Sequence, residues 1–161
     1  MMSILLKGID ISLNWVLAIV LTVMLVVVSA QVWYRFALND PLTWSEEVAR
    51  YLFVWISFLG SAVGVRSKVH LGIDLIDKLL SPNGRKIMTV VVNLLIQIFL
   101  VVVIFWGIRI LHVVQFQKSA SLGIPMTYPY LAVPVGSAFM LLNSLRNTWD
   151  AVFTSARGGT A

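Results

Sequence analysis

Residues 14–33 read NWVLAIVLTVMLVVVSAQVW, and this stretch decides the fold class. It lies within 24 uncharged residues between Asp10 and Arg35. A helix needs about 20 apolar residues to cross ~30 Å of hydrocarbon. Lipid offers the backbone no hydrogen-bond partner, so a lone run of this kind crosses as a helix. The run is too long for the apolar core of a secretory signal, and residues 31–35 (QVWYR) make a poor small-residue cleavage site. It reads as a retained first span, over about 12–34.

Working outward, 22 uncharged residues separate Lys86 from Arg109 and predict another span at 87–110. Only 15 separate Arg50 from Arg66. A span there must begin earlier, near Ser45, giving 45–66 with Glu46, Glu47 and Arg50 in its first turns. The uncharged stretch between Lys118 and Arg146 begins as a loop, marked by Gly123, Pro125 and Pro129. Its remainder predicts a fourth span at 129–149, where Pro134 falls in the first turn and its missing N–H costs little.

Composition agrees. Of 161 residues, 59% are hydrophobic and 12% charged, and mean hydropathy is +0.91. A soluble domain carries about 25% charge, so a soluble enzyme is excluded. Disorder is excluded by the same apolarity. With no cysteine, disulfides, iron–sulfur clusters and thiolate zinc sites are out. Two histidines and seven acidic residues leave little for a metal site or a catalytic dyad. His70 and His112 are expected at span ends on opposite membrane sides, so they cannot share a haem. No cofactor is expected in this chain.

The net charge of +5 lies between the apolar runs rather than on one wet face, which argues for membrane orientation and against nucleic acid. Lys7, Arg66, Lys68, Lys78, Arg85, Lys86, Arg146 and Arg157 fall on one side of a four-span topology. Arg35, Arg50, Arg109 and Lys118 fall on the other. The positive-inside rule then predicts both termini inside. The expected architecture is all-α: one membrane domain over 1–161 with four spans. Residues 69–80 (VHLGIDLIDKLL) add an amphipathic helix in the inner interface. Ser81, Pro82, Asn83 and Gly84 make a turn before the third span.

Helices associate in lipid through small residues and occasional polar contacts. In span two, Glu46, Arg50, Phe53, Ser57, Gly60 and Gly64 step by three or four and form one stripe. Glu46 can neutralise Arg50 at i,i+4; Glu47 can do so at i,i+3. Facing lipid, those charges would be costly, so the stripe is expected to face protein. Asn93 and Gln97 in span three also need partners, as interhelical glue. Gly136, Met140 and Asn143 are the contact candidates of span four. No span has an ionisable residue at its middle, which is unlike a carrier.

Residues 44–55 (WSEEVARYLFVW), then Phe58, Leu59 and Gly60, then Arg66, His70 and Asp74 at four-residue spacing, resemble the small membrane subunit of tripartite ATP-independent periplasmic (TRAP) transporters, the DctQ/SiaQ-like family. The resemblance covers about residues 10–150. It implies a multi-pass protein of the bacterial inner membrane that binds and scaffolds a large membrane subunit. That subunit would take up an organic acid, such as a C4-dicarboxylate or sialic acid, driven by sodium held in the large partner. A periplasmic binding protein would deliver the acid and visit the outer loops transiently, with Asp40 and Lys118 as charged contacts. Glu46, Glu47, Arg50, Phe53, Ser57, Gly60 and Gly64 would face the large subunit. Membrane lipids are the remaining partner, and nucleic acid is not one. The competing reading is a membrane anchor of a respiratory complex.

Overall fold

A computed structural model describes residues 2–66 and 82–153. Five helices follow in chain order: α1 (Met2–Phe36), α2 (Ser45–Arg66), α3 (Pro82–Val114), the single turn α4 (Thr127–Tyr130) and α5 (Ala132–Phe153). Among the described residues the only extended pairing is an isolated bridge between Lys118 and Pro125. The expected interfacial helix at 69–80, with His70 and Asp74, lies outside the described residues.

The helix limits follow local chemistry. α2 opens with Glu46 and Glu47 in its first turn and closes on Arg66, the charge order that complements a helix dipole. α3 opens on Pro82, whose fixed φ and absent N–H suit a first helical position. After α1 the chain turns through Asn39 in the left-handed region, φ 52°. Gly123 turns the longer loop with φ 67°, a conformation glycine adopts without steric cost.

Among the described residues three helices are long and apolar enough to cross a membrane: Gly8–Phe36, Ser45–Arg66 and Ile87–Val114. The fourth expected span corresponds to α5, which has 22 residues, as α2 does, but is not among those three. Its position explains its polarity. α1 packs on α2, α2 on α5, and α5 on α3, so α5 lies between two neighbours in an open row. Asn143, Ser144 and Asn147 are buried in its two seams. α1 and α3 close the row at either end and expose most of their apolar side chains, among them Trp15, Leu25, Leu95 and Phe99.

Two close approaches hold α5. A Cβ on Gly136 would lie 2.5 Å from the Cβ of Phe58 in α2. On the other side, a Cβ on Gly107 of α3 would lie 3.3 Å from Cδ of Pro134. Small residues thus let the helices meet, as expected for packing in lipid. Leu13, Leu59 and Ala62 form the buried apolar cluster, with Leu17, Trp55, Phe139 and Met140 against it. Trp55, the tryptophan whose predicted position lies far from either interface, is therefore a packing residue.

Candidate functional site

Among the described residues the α2 stripe does not meet another helix. Phe53 is 60% exposed. A Cβ on Gly60 or Gly64 would find nothing within 4 Å. Glu46 and Arg50 form the expected i,i+4 pair at 3.5 Å, with side chains 74% and 70% exposed. Ser57 and Ser61 turn their hydroxyls back to the carbonyls of Phe53 and Ser57, which satisfies them within the helix. One face of α2 therefore carries small, self-satisfied residues and an exposed ion pair, with no cover from the other described residues.

Glu47 does something else. Successive helical residues lie about 100° apart around the axis, so Glu47 turns away from Glu46. Its Oε2 accepts the backbone N–H groups of Ser121 (2.9 Å) and Leu122 (3.2 Å). Its Oε1 accepts the Tyr51 hydroxyl. The carboxylate thus pins the tip of the loop between α3 and α4 to α2. The loop closes on itself through Ser119 N–H to Ile124 O (2.8 Å) and Met126 N–H to Gln117 O (2.9 Å). Glu47 does not pair with Arg50, the i,i+3 alternative open to it on spacing alone, and it belongs to a different face from the rest of the stripe.

The row's polar seams are internal. Between α3 and α5, Gln97 donates to Thr148 Oγ1 at 2.9 Å and to Ser144 Oγ at 3.4 Å. Ser144 donates to Asn93 Oδ1 at 3.2 Å. The two amides of span three are helix–helix glue. Between α5 and α2, Asn143 Nδ2 donates to the Ala62 carbonyl at 2.9 Å and Asn147 Nδ2 to that of Val65 at 2.8 Å. At the same end Asp10 of α1 gathers two arginines, Arg146 at 3.1 Å and Arg66 at 3.6 Å. Arg66, expected as part of a link motif, is the last residue of α2 and half-buried against Asp10.

Sequence reasoning missed Asp10, Tyr51, Ser144, Asn147 and Thr148. The spacing of Asn143, Ser144, Asn147 and Thr148 is a readable signal, two adjacent polar pairs one turn apart. Asp40 and Lys118 are both exposed and lie in separate loops. Arg109 at the end of α3 lies over the rings of Phe105 (5.2 Å) and Trp106 (5.9 Å), a cation held on aromatic faces. Among the described residues no group of three His, Cys or acidic side chains is placed to hold a metal ion.

Comparison with known proteins adds the family. Residues 24–154 match the model for tripartite ATP-independent periplasmic transporters, DctQ component. The chain is 27% identical over 127 residues to the sialic acid TRAP transporter small permease protein SiaQ of Vibrio cholerae, covering 79% of this chain and 73% of that one. It is 33% identical over 107 residues to the C4-dicarboxylate TRAP transporter small permease protein DctQ of Rhodobacter capsulatus, covering 65% and 47%. It is also 33% identical over 117 residues to the sialic acid TRAP transporter permease protein SiaT of Haemophilus influenzae. That match takes in 73% of this chain and only 19% of the much longer relative.

Proposed function

The chain belongs to the DctQ-component family of tripartite ATP-independent periplasmic transporters, and from that premise we propose that it is the small permease subunit that braces a large membrane subunit. The observation that carries the proposal is the bare face of α2. Gly60 and Gly64 are open to a neighbour that the described residues do not supply, while the amides at membrane depth are hydrogen-bonded inside the row. A relative in which the matching segment fills 19% of one permease chain supports a larger membrane part as that neighbour. We assign Arg50, Phe53, Ser57, Gly60 and Gly64 to the interface, with Glu46 as the partner of Arg50 and Glu47 as the support of the loop above it.

In this reading α5 is the fourth span, both termini are cytoplasmic, and the protein is a multi-pass component of the bacterial inner membrane. The complex takes up an organic acid, a C4-dicarboxylate or sialic acid by the relatives' names, on a sodium gradient sensed by the large subunit. The chain performs no chemistry and holds no cofactor. The outer loops receive the periplasmic binding protein briefly, with Asp40 as this chain's charged contact. Lys118, expected to share that role, lines a pocket at the Glu47 end of α2.

The test is retention of the large subunit on a tagged small subunit in mild detergent, measured beside uptake in proteoliposomes. Gly60→Leu is expected to lose the partner by steric exclusion, and Arg50→Ala to weaken its retention. Substrate selectivity is expected to stay unchanged in both. Normal retention and uptake in both variants would move the interface off this face. Altered selectivity would place the chain on the substrate path and end the brace reading.

A further inference from the structure

At the Glu47 end, α2 and α5 part beneath the loop and leave a pocket of about 570 Å³. Its lining changes character along the helix axes. Lys118 and Arg50 stand at the loop level, Tyr51 follows, and Val54 lies one turn further along α2, with Tyr130 of α4 and Val133 in the first turn of α5 on the same lining. Glu47 is the one acid on the lining, and its oxygens already accept Tyr51 Oη and the N–H groups of Ser121 and Leu122. Among the described residues Arg50 is held only by the exposed Glu46 at 3.5 Å, a pairing worth little in water. Lys118 has no ion pair among the described residues. Two cations therefore face one saturated carboxylate, over an apolar floor. Trp44 and Tyr128, 41% and 60% exposed at this end, are the aromatic side chains that settle at the headgroup level of a bilayer.

We propose that this pocket binds an anionic phospholipid. Its phosphate lies between Arg50 and Lys118, and the start of an acyl chain rests on Val54, Tyr130 and Val133. The polarity gradient selects this occupant. A soluble anion would leave the apolar floor wet, and an acidic side chain of a visiting protein would reach only the mouth. A phospholipid at the outer interface presents charge and hydrocarbon in the order of the lining. The inference rests on the chain lying in a membrane with this end at a headgroup layer, and is independent of what the complex transports.

The experiment uses the complex of this chain with its large subunit, delipidated and placed in phosphatidylcholine nanodiscs, with phosphatidylglycerol titrated and binding read by native mass spectrometry. The wild type is expected to hold phosphatidylglycerol in preference to phosphatidylcholine. Lys118→Glu is expected to lower that affinity about tenfold, the loss of one charge-assisted contact, and Lys118→Arg to keep it. Val133→Trp, which fills the floor without touching charge, is expected to weaken both lipids. Equal phosphatidylglycerol binding in the wild type, Lys118→Glu and Val133→Trp would overturn the proposal. So would displacement of the lipid by equimolar inorganic phosphate, which marks a free-anion site. A Lys118→Glu variant that loses affinity for the binding protein but keeps the lipid would also overturn it. Retention of the large subunit, scored on the same samples, reports on the brace reading separately.

Discussion

Gly136→Ala should loosen the central seam of the row, and its magnitude follows from one clash. The added Cβ would lie 2.5 Å from Cβ of Phe58, and 3.1 and 3.2 Å from its carbonyl carbon and Cα. Carbon atoms sit comfortably at about 3.5–4.0 Å, so the shortfall is about 1 Å. Two of the three atoms met are backbone, so no rotamer change relieves it. α2 and α5 must separate locally, which costs about 1–3 kcal/mol as overpacking. The same movement stretches the Asn143 to Ala62 bond, 2.9 Å long and two turns further along α5. An interhelical hydrogen bond in a membrane is worth about 0.6 kcal/mol. Alanine's gain of about 0.5–1 kcal/mol over glycine inside a helix offsets part of this, so the net loss is about 1–3 kcal/mol.

Gly60→Ala is the matched control. Nothing lies within 4 Å of its new Cβ, and alanine in a helix gains about 0.5–1 kcal/mol over glycine. The small subunit alone should therefore keep or slightly raise its stability. Reversible unfolding in mixed micelles of mild detergent and dodecyl sulfate measures both variants. If Gly136→Ala unfolds at the wild-type midpoint, α2 and α5 do not cross at Phe58 and the described row is wrong.

Three further expectations come from the polar contacts. Asp10→Ala strips the shared carboxylate from Arg66 and Arg146, whose side chains are 30% and 23% exposed; a cost of about 1–2 kcal/mol, between exposed and buried pairs, should appear in the same unfolding assay. Glu47→Ala should release the loop tip, read as faster thiol labelling of a cysteine placed at Ala120, with the unfolding midpoint moved far less than by Gly136→Ala. For orientation, an impermeant thiol reagent added from outside should label a cysteine at Ala120 and spare one at Ser81; the reverse pattern would invert the topology.

Much of the row was legible because lipid imposes length. α1 and α3 announce themselves through uncharged runs, and the start of α2 at Ser45 follows once 15 residues are too few to cross. Its two glutamates were not separable by motif. Adjacent in sequence, they point to different faces, Glu46 outward to Arg50 and Glu47 to the loop. Asp10 and Arg146 stand 136 positions apart; in the sequence Arg146 serves as an orientation marker and Asp10 as the edge of an uncharged run, although they are partners. α5 reads from the sequence as a fourth span, but its helix is not among the three long and apolar enough to cross a membrane. The residues that make it the centre of the row, Asn143, Ser144 and Asn147, are those that lower its apolarity.

The placement of α3 ties the internal seams to the proposed brace. In a closed four-helix bundle α3 would return to cover α2. Here the amides of Asn93 and Gln97 fix α3 on the far side of α5, through Ser144 and Thr148. An amide left facing hydrocarbon would be expensive, so these bonds favour the open row over the closed one. Among the described residues the opening leaves α2 with α1, α4 and α5 as its neighbours and its Gly60–Gly64 face bare. Two glycines at i,i+4 permit the near backbone contact by which helices associate without a hydrophobic drive. The bonds that hold α3 away are thus the reason a second protein has room on α2.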